Sequence, residues 1–363
     1  MPFFIILTSR WRFGDYLLFI METRTYDELK ETPETKKNNA RAALSEFAYL
    51  GGYKPWNFRK EALEYLAIKK ALSEKWSFDG EAEDSYSILD NYLRYTFFRL
   101  FEENKIEYTK DGKWACFNTG LVNQTYVPIY ALFQKNRNTG KQPWYFCAFI
   151  ADGEKWGKFP DRCSVADFPR RPRRAQYLDN PSDLLYLVSE EKNELSLNFD
   201  HIFDRAERLP IDLLNELSGK QIPIKKQRGD FSNQIDYETY LLNYSDELQD
   251  VINEGNTRRR LQERFKTAVD MTRDRIVWNY KTAIPMYYPS TGKISLLLPL
   301  NLVKEDKVDL ALVVSKGDGG YLAETIYPLN WAYRCARLIC RPDSDWLTPS
   351  TITNDSGDEE DND

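Results

Sequence analysis

Strand-like segments are grouped in two blocks along the chain, and this grouping limits the folds that it can adopt. The first block covers about 106–150, where Asp111 and Gly112 form a tight turn between two short runs, a strong β-hairpin signal. The second block covers about 294–327. Helices and strands therefore do not alternate as in a parallel wound sheet. The pattern predicts an α+β fold, with a mostly antiparallel mixed sheet packed with helices and a helical N-terminal segment.

Helical periodicity accounts for much of the chain outside these blocks. It predicts helices at 40–50, 58–76, 85–103, 210–217, 236–252, 257–280 and 329–339. Two short strands are expected at 184–188 and 195–199. Beyond residue 280, Pro285 and Pro289 indicate a turn where the preceding helix ends.

The chain divides into four predicted regions. Residues 1–20 are interpreted as a spurious or disordered N-terminus, because Arg10, Arg12 and Asp15 interrupt their apolar runs. We expect 21–84 to form a helical appendage, 85–348 the main α+β domain, and 349–363 a disordered acidic tail. No stretch reaches the ~20 apolar residues of a spanning helix, so no membrane association is expected.

Composition excludes several classes of protein. Charged residues make up 29% and aromatics 14% of the chain, which is typical of a folded protein. Five cysteines, an odd number with no close pair, argue against a disulfide framework and predict a reducing, cytoplasmic location. The formal charge of −6 argues against bulk attraction to nucleic acid, and the single histidine, His201, excludes multi-histidine metal sites. No metal site is predicted, and the cofactor is left open.

Cations and aromatic residues are mixed at the end of the long basic helix predicted at 257–280. Arg273 lies in this helix, and Lys281 follows Trp278 and Tyr280. A lysine at a helix C-terminus is favoured by the helix dipole. Among aromatic rings it is also suited to contact a phosphate, or to have a lowered pKa.

A second cluster of cations surrounds a proline in the loop at 168–177. Four arginines, including Arg173 and Arg174, flank Pro172, and Phe168 and Tyr177 offer rings at the two ends. Arginines interleaved with aromatics suit single-stranded nucleic acid or a nucleotide. The alternative is a charged loop that pairs with acidic residues elsewhere.

Two further motifs are weaker signals. Asn118 lies in a strand end that contains Gly120, where backbone could approach a ligand. Arg341, Asp343 and Asp345 follow the last helix and suit either metal binding through two carboxylates or capping of the helix.

Several of these motifs together resemble a known family. They are FNTGL at 117–121, RAQY at 174–177, NYKTAIP at 279–285, DLALVV at 309–314 and RPDSDW at 341–346. They are similar to a bacterial family known as domain of unknown function 3825, over roughly 85–348. The resemblance implies an RNA-related role, since such domains are found beside LOTUS-type RNA-binding modules, although no such module is recognisable here.

Three functions follow from the sequence. The leading hypothesis is a cytosolic protein that binds RNA or a nucleotide in a pocket of polar and cationic side chains, namely Asn118, Arg173, Arg174, Arg273, Lys281 and Arg341. The second is an enzyme acting on a phosphate-containing substrate, with Lys281, Asp343 and Asp345 as candidate catalytic residues. The third is a scaffold whose charged segments meet a protein partner, whose identity the sequence leaves unknown.

Overall fold

Two five-stranded sheets with helices packed between and around them form the framework of the protein. A computed structural model describes residues 33–51, 61–82, 84–138, 140–158, 162–187, 194–317 and 319–352. The predicted N-terminal segment 1–20 and most of the predicted acidic tail at 349–363 lie outside these ranges.

The first sheet is built mainly from the meander that the sequence predicts. Its strand order is β1-β5-β4-β3-β2, and the strands are β1 (Ala48–Tyr49), β2 (Glu107–Tyr108), β3 (Trp114–Val122), β4 (Pro128–Lys135) and β5 (Trp144–Ala151). β1 pairs with β5 in parallel, and the other neighbours are antiparallel. A small antiparallel pair, β6 (Lys155–Trp156) and β7 (Cys163–Ser164), follows it.

The second sheet comes from the C-terminal third of the chain together with one short earlier strand. Its order is β8-β12-β11-β10-β9, and the strands are β8 (Glu194–Leu197), β9 (Ile284–Tyr288), β10 (Lys293–Leu300), β11 (Leu310–Gly317) and β12 (Gly320–Tyr327). Only the β8–β12 contact among these described pairs is parallel.

Helices fill the space between the sheets and cover the second sheet. They are α1 (Pro33–Phe47), α2 (Ser87–Glu102), α3 (Phe199–Phe203), α4 (Ile211–Ser218), α5 (Gln234–Asn253), α6 (Thr257–Trp278) and α7 (Leu329–Ile339). Side chains of α1, α2 and α7 share one core with both sheets. Side chains of α3 to α6 share a second core with the opposite face of the second sheet.

The alternating direction of side chains along the central strands of the second sheet explains why this sheet has one core on each face. Successive side chains of a strand point to opposite faces. Thus Leu297 on β10 and Ala311 on β11 join the core shared with α2 and α7, whereas Leu296 and Leu312 join the core beneath α6. Both faces are buried, so these strands read as continuous apolar runs in the sequence.

The structure confirms the α+β class and the predominance of antiparallel pairing, with the strands divided between two sheets. The predicted turn around the two prolines is wrong in part, because 284–288 form strand β9. Pro285 pairs with Leu296, and β9 lies at the sheet edge, where a residue without an N–H is tolerated.

Two other predicted elements are also corrected. The helix expected to end near residue 76 ends as a π-helical segment at Tyr65–Lys70, and Leu72 N then donates to Val122 O at the end of β3. The strand expected at 184–188 is absent from its described part, 184–187. Leu187 N donates to the hydroxyl of Tyr321 instead of to a neighbouring strand, at 2.9 Å.

The predicted N-terminal appendage contributes side chains to the first core. Leu44, Phe47 and Leu66 are buried there, and Phe47 packs on Phe97 of α2 with 4.9 Å between ring centroids. The boundary before Ser85 stays a prediction. Limited proteolysis tests it: an appendage leaves a stable fragment near 85–348, whereas unfolding of that fragment would show that the earlier residues are integral to the core. None of the helices in the described ranges is long and apolar enough to cross a membrane.

Candidate functional site

The residues predicted to bind a ligand lie in three parts of the structure. Arg173 and Arg174 are in the loop that follows β7, Arg273 is on α6, and Lys281 and Arg341 belong to the segments after α6 and α7. Within the described ranges, no hydrogen bond or ion pair joins one of these three groups to another.

The loop at 168–177, which we call the arginine loop, is fixed through its backbone. Lys105 Nζ donates to Arg174 O at 3.1 Å, and the Arg99 guanidinium donates to Gln176 O at 2.9 Å. Arg173 and Arg174 are exposed, and within the part of the chain that the structure describes their side chains make no hydrogen bond or ion pair. The loop therefore presents two solvated guanidinium groups on a backbone that is held in place.

Asn118 is one of the residues that hold this loop. It is buried on β3, where its Nδ2 donates to Pro172 O at 3.2 Å and its Oδ1 accepts from Gly120 N at 2.9 Å. Gly120 has a φ of +76°, and a Cβ there would lie 2.4 Å from the Tyr92 hydroxyl. The amide of Asn118 thus positions the arginine loop, and both of its polar atoms are engaged in doing so.

Arg273 lies on α6 beside a buried aromatic pair. Tyr186 stacks on Tyr321 with ring centroids 4.2 Å apart. Burial raises the pKa of Tyr186, and the charge of the nearby Arg273 opposes part of that rise. Other arginines of this basic helix bind neighbouring elements: Arg264 pairs with Glu216 at 2.6 Å, and Arg275 donates to Asn301 at 2.9 Å. The basic face of α6 is therefore used largely to attach the helix to the fold.

The end of α6 carries an unusually exposed aromatic surface. We call Val277, Trp278, Tyr280 and Lys281 the α6-end surface. Trp278 is 91% exposed, Val277 65% and Tyr280 62%. Asn279 shapes the chain between them, because its Oδ1 accepts from Lys281 N at 3.1 Å and begins a short 3₁₀ turn. Two rings and a lysine thus lie within four consecutive residues in solvent.

Lys281 is joined to one of the predicted carboxylates. Its Nζ lies 2.6 Å from Asp343 Oδ2, and both side chains are exposed. The hydrogen bond with Asp343 raises the pKa of Lys281, and the same bond lowers the pKa of Asp343. A lowered lysine pKa, one of the alternatives drawn from the sequence, is therefore wrong for this arrangement.

The segment after α7 is attached beside the α6-end surface. Trp346 Nε1 donates to Thr282 O at 2.9 Å, which fixes the chain that carries Arg341, Asp343 and Asp345. Arg341 and Asp345 are exposed. Of the two predicted carboxylates, Asp343 is paired with Lys281 and Asp345 is exposed. No group of three potential metal ligands occurs among the described residues.

Sequence reasoning missed a cleft between α2, α7 and the end of β9. Its lining, which we call the aromatic cleft, consists of Asn91, Tyr95, Tyr288, Pro289, Ser290, Tyr327, Trp331, Arg334, Cys335 and Leu338. Helical spacing gives a signal for six of these ten residues: 91 and 95 are four apart, and 331, 334, 335 and 338 share one face of α7. The rest comes from strand ends that meet these helices only in the folded chain.

Comparison with known proteins identifies the family. Residues 68–346 match the family described as "Domain of unknown function (DUF3825)", which is more than half of the chain, so the chain belongs to this family. The resemblance seen in the motifs is thereby confirmed, and the match begins before the start that they indicated. No curated protein and no solved structure matches the chain.

Proposed function

We propose that this member of the DUF3825 family is a cytoplasmic protein that binds single-stranded RNA on the α6-end surface. The observation that carries the proposal is the exposure of Trp278, at 91%, beside the 62% exposed ring of Tyr280. Exposed apolar side chains that are grouped in one patch, as here, commonly mark an interaction site. Bases of a single strand stack on such rings, and a neighbouring cation contacts the phosphate between them.

The ion pair of Lys281 is compatible with phosphate binding. An exposed pair of this kind contributes little to stability, because water solvates both charges well. A phosphate oxygen therefore replaces the Asp343 carboxylate at small cost. In the unbound protein Asp343 holds the lysine, which follows the two ring-bearing residues in the chain.

The arginine loop supplies further cations for contacts with RNA phosphates. Arg173 and Arg174 are exposed on a backbone fixed by Lys105, Arg99 and Asn118. A fixed backbone reduces the entropy lost when the guanidinium groups bind phosphate. The negative charge of the whole chain makes such local cations necessary for RNA binding.

The family resemblance found in the sequence supports the same function. Domains of this kind in bacteria are found beside LOTUS-type RNA-binding modules, which implies that their substrates or partners contain RNA. The competing enzyme hypothesis requires Lys281 and a carboxylate in one cleft, whereas Lys281 and Asp343 meet in solvent. If the binding experiments show no RNA at the exposed rings, a protein that covers these rings becomes the alternative partner.

Changing Arg173, Arg174 and Lys281 together to Gln is expected to weaken RNA binding about tenfold or more at moderate salt. Each lost phosphate contact on a single strand also reduces the slope of log K against log salt by about 0.7, so the slope should fall by about 2. Fluorescence polarisation of a labelled single-stranded oligouridine, measured at several salt concentrations, gives both quantities. Stability should change little, by under ~0.5 kcal/mol, because the three side chains are exposed.

Lys316 provides a matched control for this experiment. It is an exposed lysine at the end of β11. The variant Lys316→Gln removes one positive charge and is expected to leave both affinity and salt slope nearly unchanged. Its match is the single variant Lys281→Gln, and equal losses in these two variants would show that net charge, not the Lys281 side chain, governs binding.

A further inference from the structure

We propose that the aromatic cleft is a second binding site, which takes the base of a mononucleotide. The site shares none of its lining residues with the α6-end surface. The inference therefore goes beyond RNA binding and does not rest on it.

Aromatic rings form the walls of the cleft. Tyr288 and Tyr327 have centroids 6.3 Å apart at 60°, and Tyr327 and Trp331 have centroids 5.9 Å apart at 77°. Rings inclined in this way offer both faces and edges to a planar guest. Tyr95 of α2 contributes a further ring. The walls thus favour a flat ring over an aliphatic chain.

A buried hydroxyl without a partner lies in this lining. Ser290 is 5% exposed, and its Oγ has no hydrogen-bond partner among the residues that the structure describes. Leaving a buried hydroxyl unpaired is unfavourable, so a ligand that pairs with it gains affinity. The amide of Asn91 also makes no side-chain hydrogen bond within the described ranges. A hydroxyl and an amide can each donate and accept, which matches the mixed hydrogen-bonding edge of a nucleobase.

Cations beside the rings indicate that the guest carries negative charge. Arg334 lines the cleft and is held by Glu81 at 3.7 Å and by Ser87 Oγ at 3.3 Å. Behind the wall, the guanidinium carbon of Arg208 lies 4.8 Å from the Trp331 ring centroid. Arg208 lies outside the lining, where it donates to Ile326 O at 3.1 Å and pairs with Glu207 at 4.0 Å. Arg334 is therefore the cation of the lining, and its charge favours a base that is attached to a phosphate.

The size of the cleft limits how much of the ligand enters. Its enclosed volume is about 60 Å³, less than the ~150 Å³ cavity known to hold benzene in another protein. Only part of a ring is enclosed in this conformation, and the sugar and phosphate remain at the mouth. This favours a free mononucleotide, whose substituents have room in solvent.

Saturation-transfer NMR and calorimetry with CMP, UMP, AMP and GMP on the full chain test the proposal. We expect at least one of the four to bind saturably. Ser290→Ala should weaken that binding about 3- to 10-fold, the range for one lost hydrogen bond. The same variant should leave the melting temperature of the unbound protein unchanged or higher, since it removes an unpaired buried hydroxyl. Loss of affinity without loss of stability separates a ligand contact from a structural role.

A matched control makes the result decisive. Ser350→Ala makes the same chemical change at an exposed position. It should not affect mononucleotide binding. The proposal is overturned if none of the four nucleotides binds at millimolar concentration. It is equally overturned if Ser290→Ala and Asn91→Ala both bind as tightly as the unaltered protein.

Discussion

Replacing Glu74 with alanine is expected to lower the free energy of unfolding by about 3–5 kcal/mol, because it leaves a buried guanidinium without its counterion. Glu74 accepts two hydrogen bonds from Arg337, at 2.6 and 2.9 Å, and both side chains are less than 10% exposed. Burial alone would lower the pKa of Arg337, but the hydrogen bonds and charge of Glu74 raise it. The guanidinium carbon also lies over two aromatic rings, 4.7 Å from the Trp76 ring centroid and 4.6 Å from that of Tyr92.

Urea unfolding followed by circular dichroism measures this effect. Asp343→Ala serves as the matched control, because it breaks an ion pair of the same length in solvent and should leave stability nearly unchanged. Replacing both partners, as Glu74→Leu with Arg337→Met, should recover much of the loss, since no charge is then left buried. A small effect of Glu74→Ala would contradict the view that this pair joins the segment before α2 to α7.

Changing both Trp278 and Tyr280 to alanine is expected to weaken single-stranded RNA binding by at least about 2 kcal/mol, or roughly 30-fold. Stacking of a base on an aromatic side chain contributes about 1–3 kcal/mol, and the variant removes two such rings. Both rings are largely exposed, so the melting temperature should stay nearly constant. Affinity is measured by polarisation of a labelled oligouridine at fixed salt.

Tyr126 provides the matched control for the loss of an aromatic ring. It is 73% exposed in the turn between β3 and β4, on the other sheet. Tyr126→Ala should bind RNA as the unaltered protein does. If the double variant also keeps its affinity, RNA is not stacked on these rings, and a protein partner becomes the better explanation for their exposure.

The sequence predicts the central strands well because their pattern has a local cause. β10 and β11 are apolar on both faces, and β2 and β3 flank the turn at Asp111 and Gly112. β9 was missed because Pro285 argues against a strand unless the strand is known to be an edge. The parallel pairings of β1 and β8 involve two and four residues, too few to leave a pattern, and they depend on contacts with distant strands.

The candidate sites show the same limit. Mixed aromatic and cationic residues mark Trp278, Tyr280 and Lys281 in the sequence, but only the fold shows that both rings are in solvent. Lys281 and Asp343 are 62 positions apart, and no local pattern indicates their contact. Asn118 illustrates the same limit, because the loop that it anchors is 54 residues further along the chain.

Ultraviolet crosslinking of a bound single-stranded RNA, followed by mass spectrometry of the protein peptides, tests the central proposal most directly. It reports which residues touch the bases, independently of any change in affinity or stability. The proposal predicts crosslinks on the peptide that contains Trp278 and Tyr280, and their loss in the double alanine variant. Crosslinks confined to other peptides, with none on the α6-end surface, would contradict it.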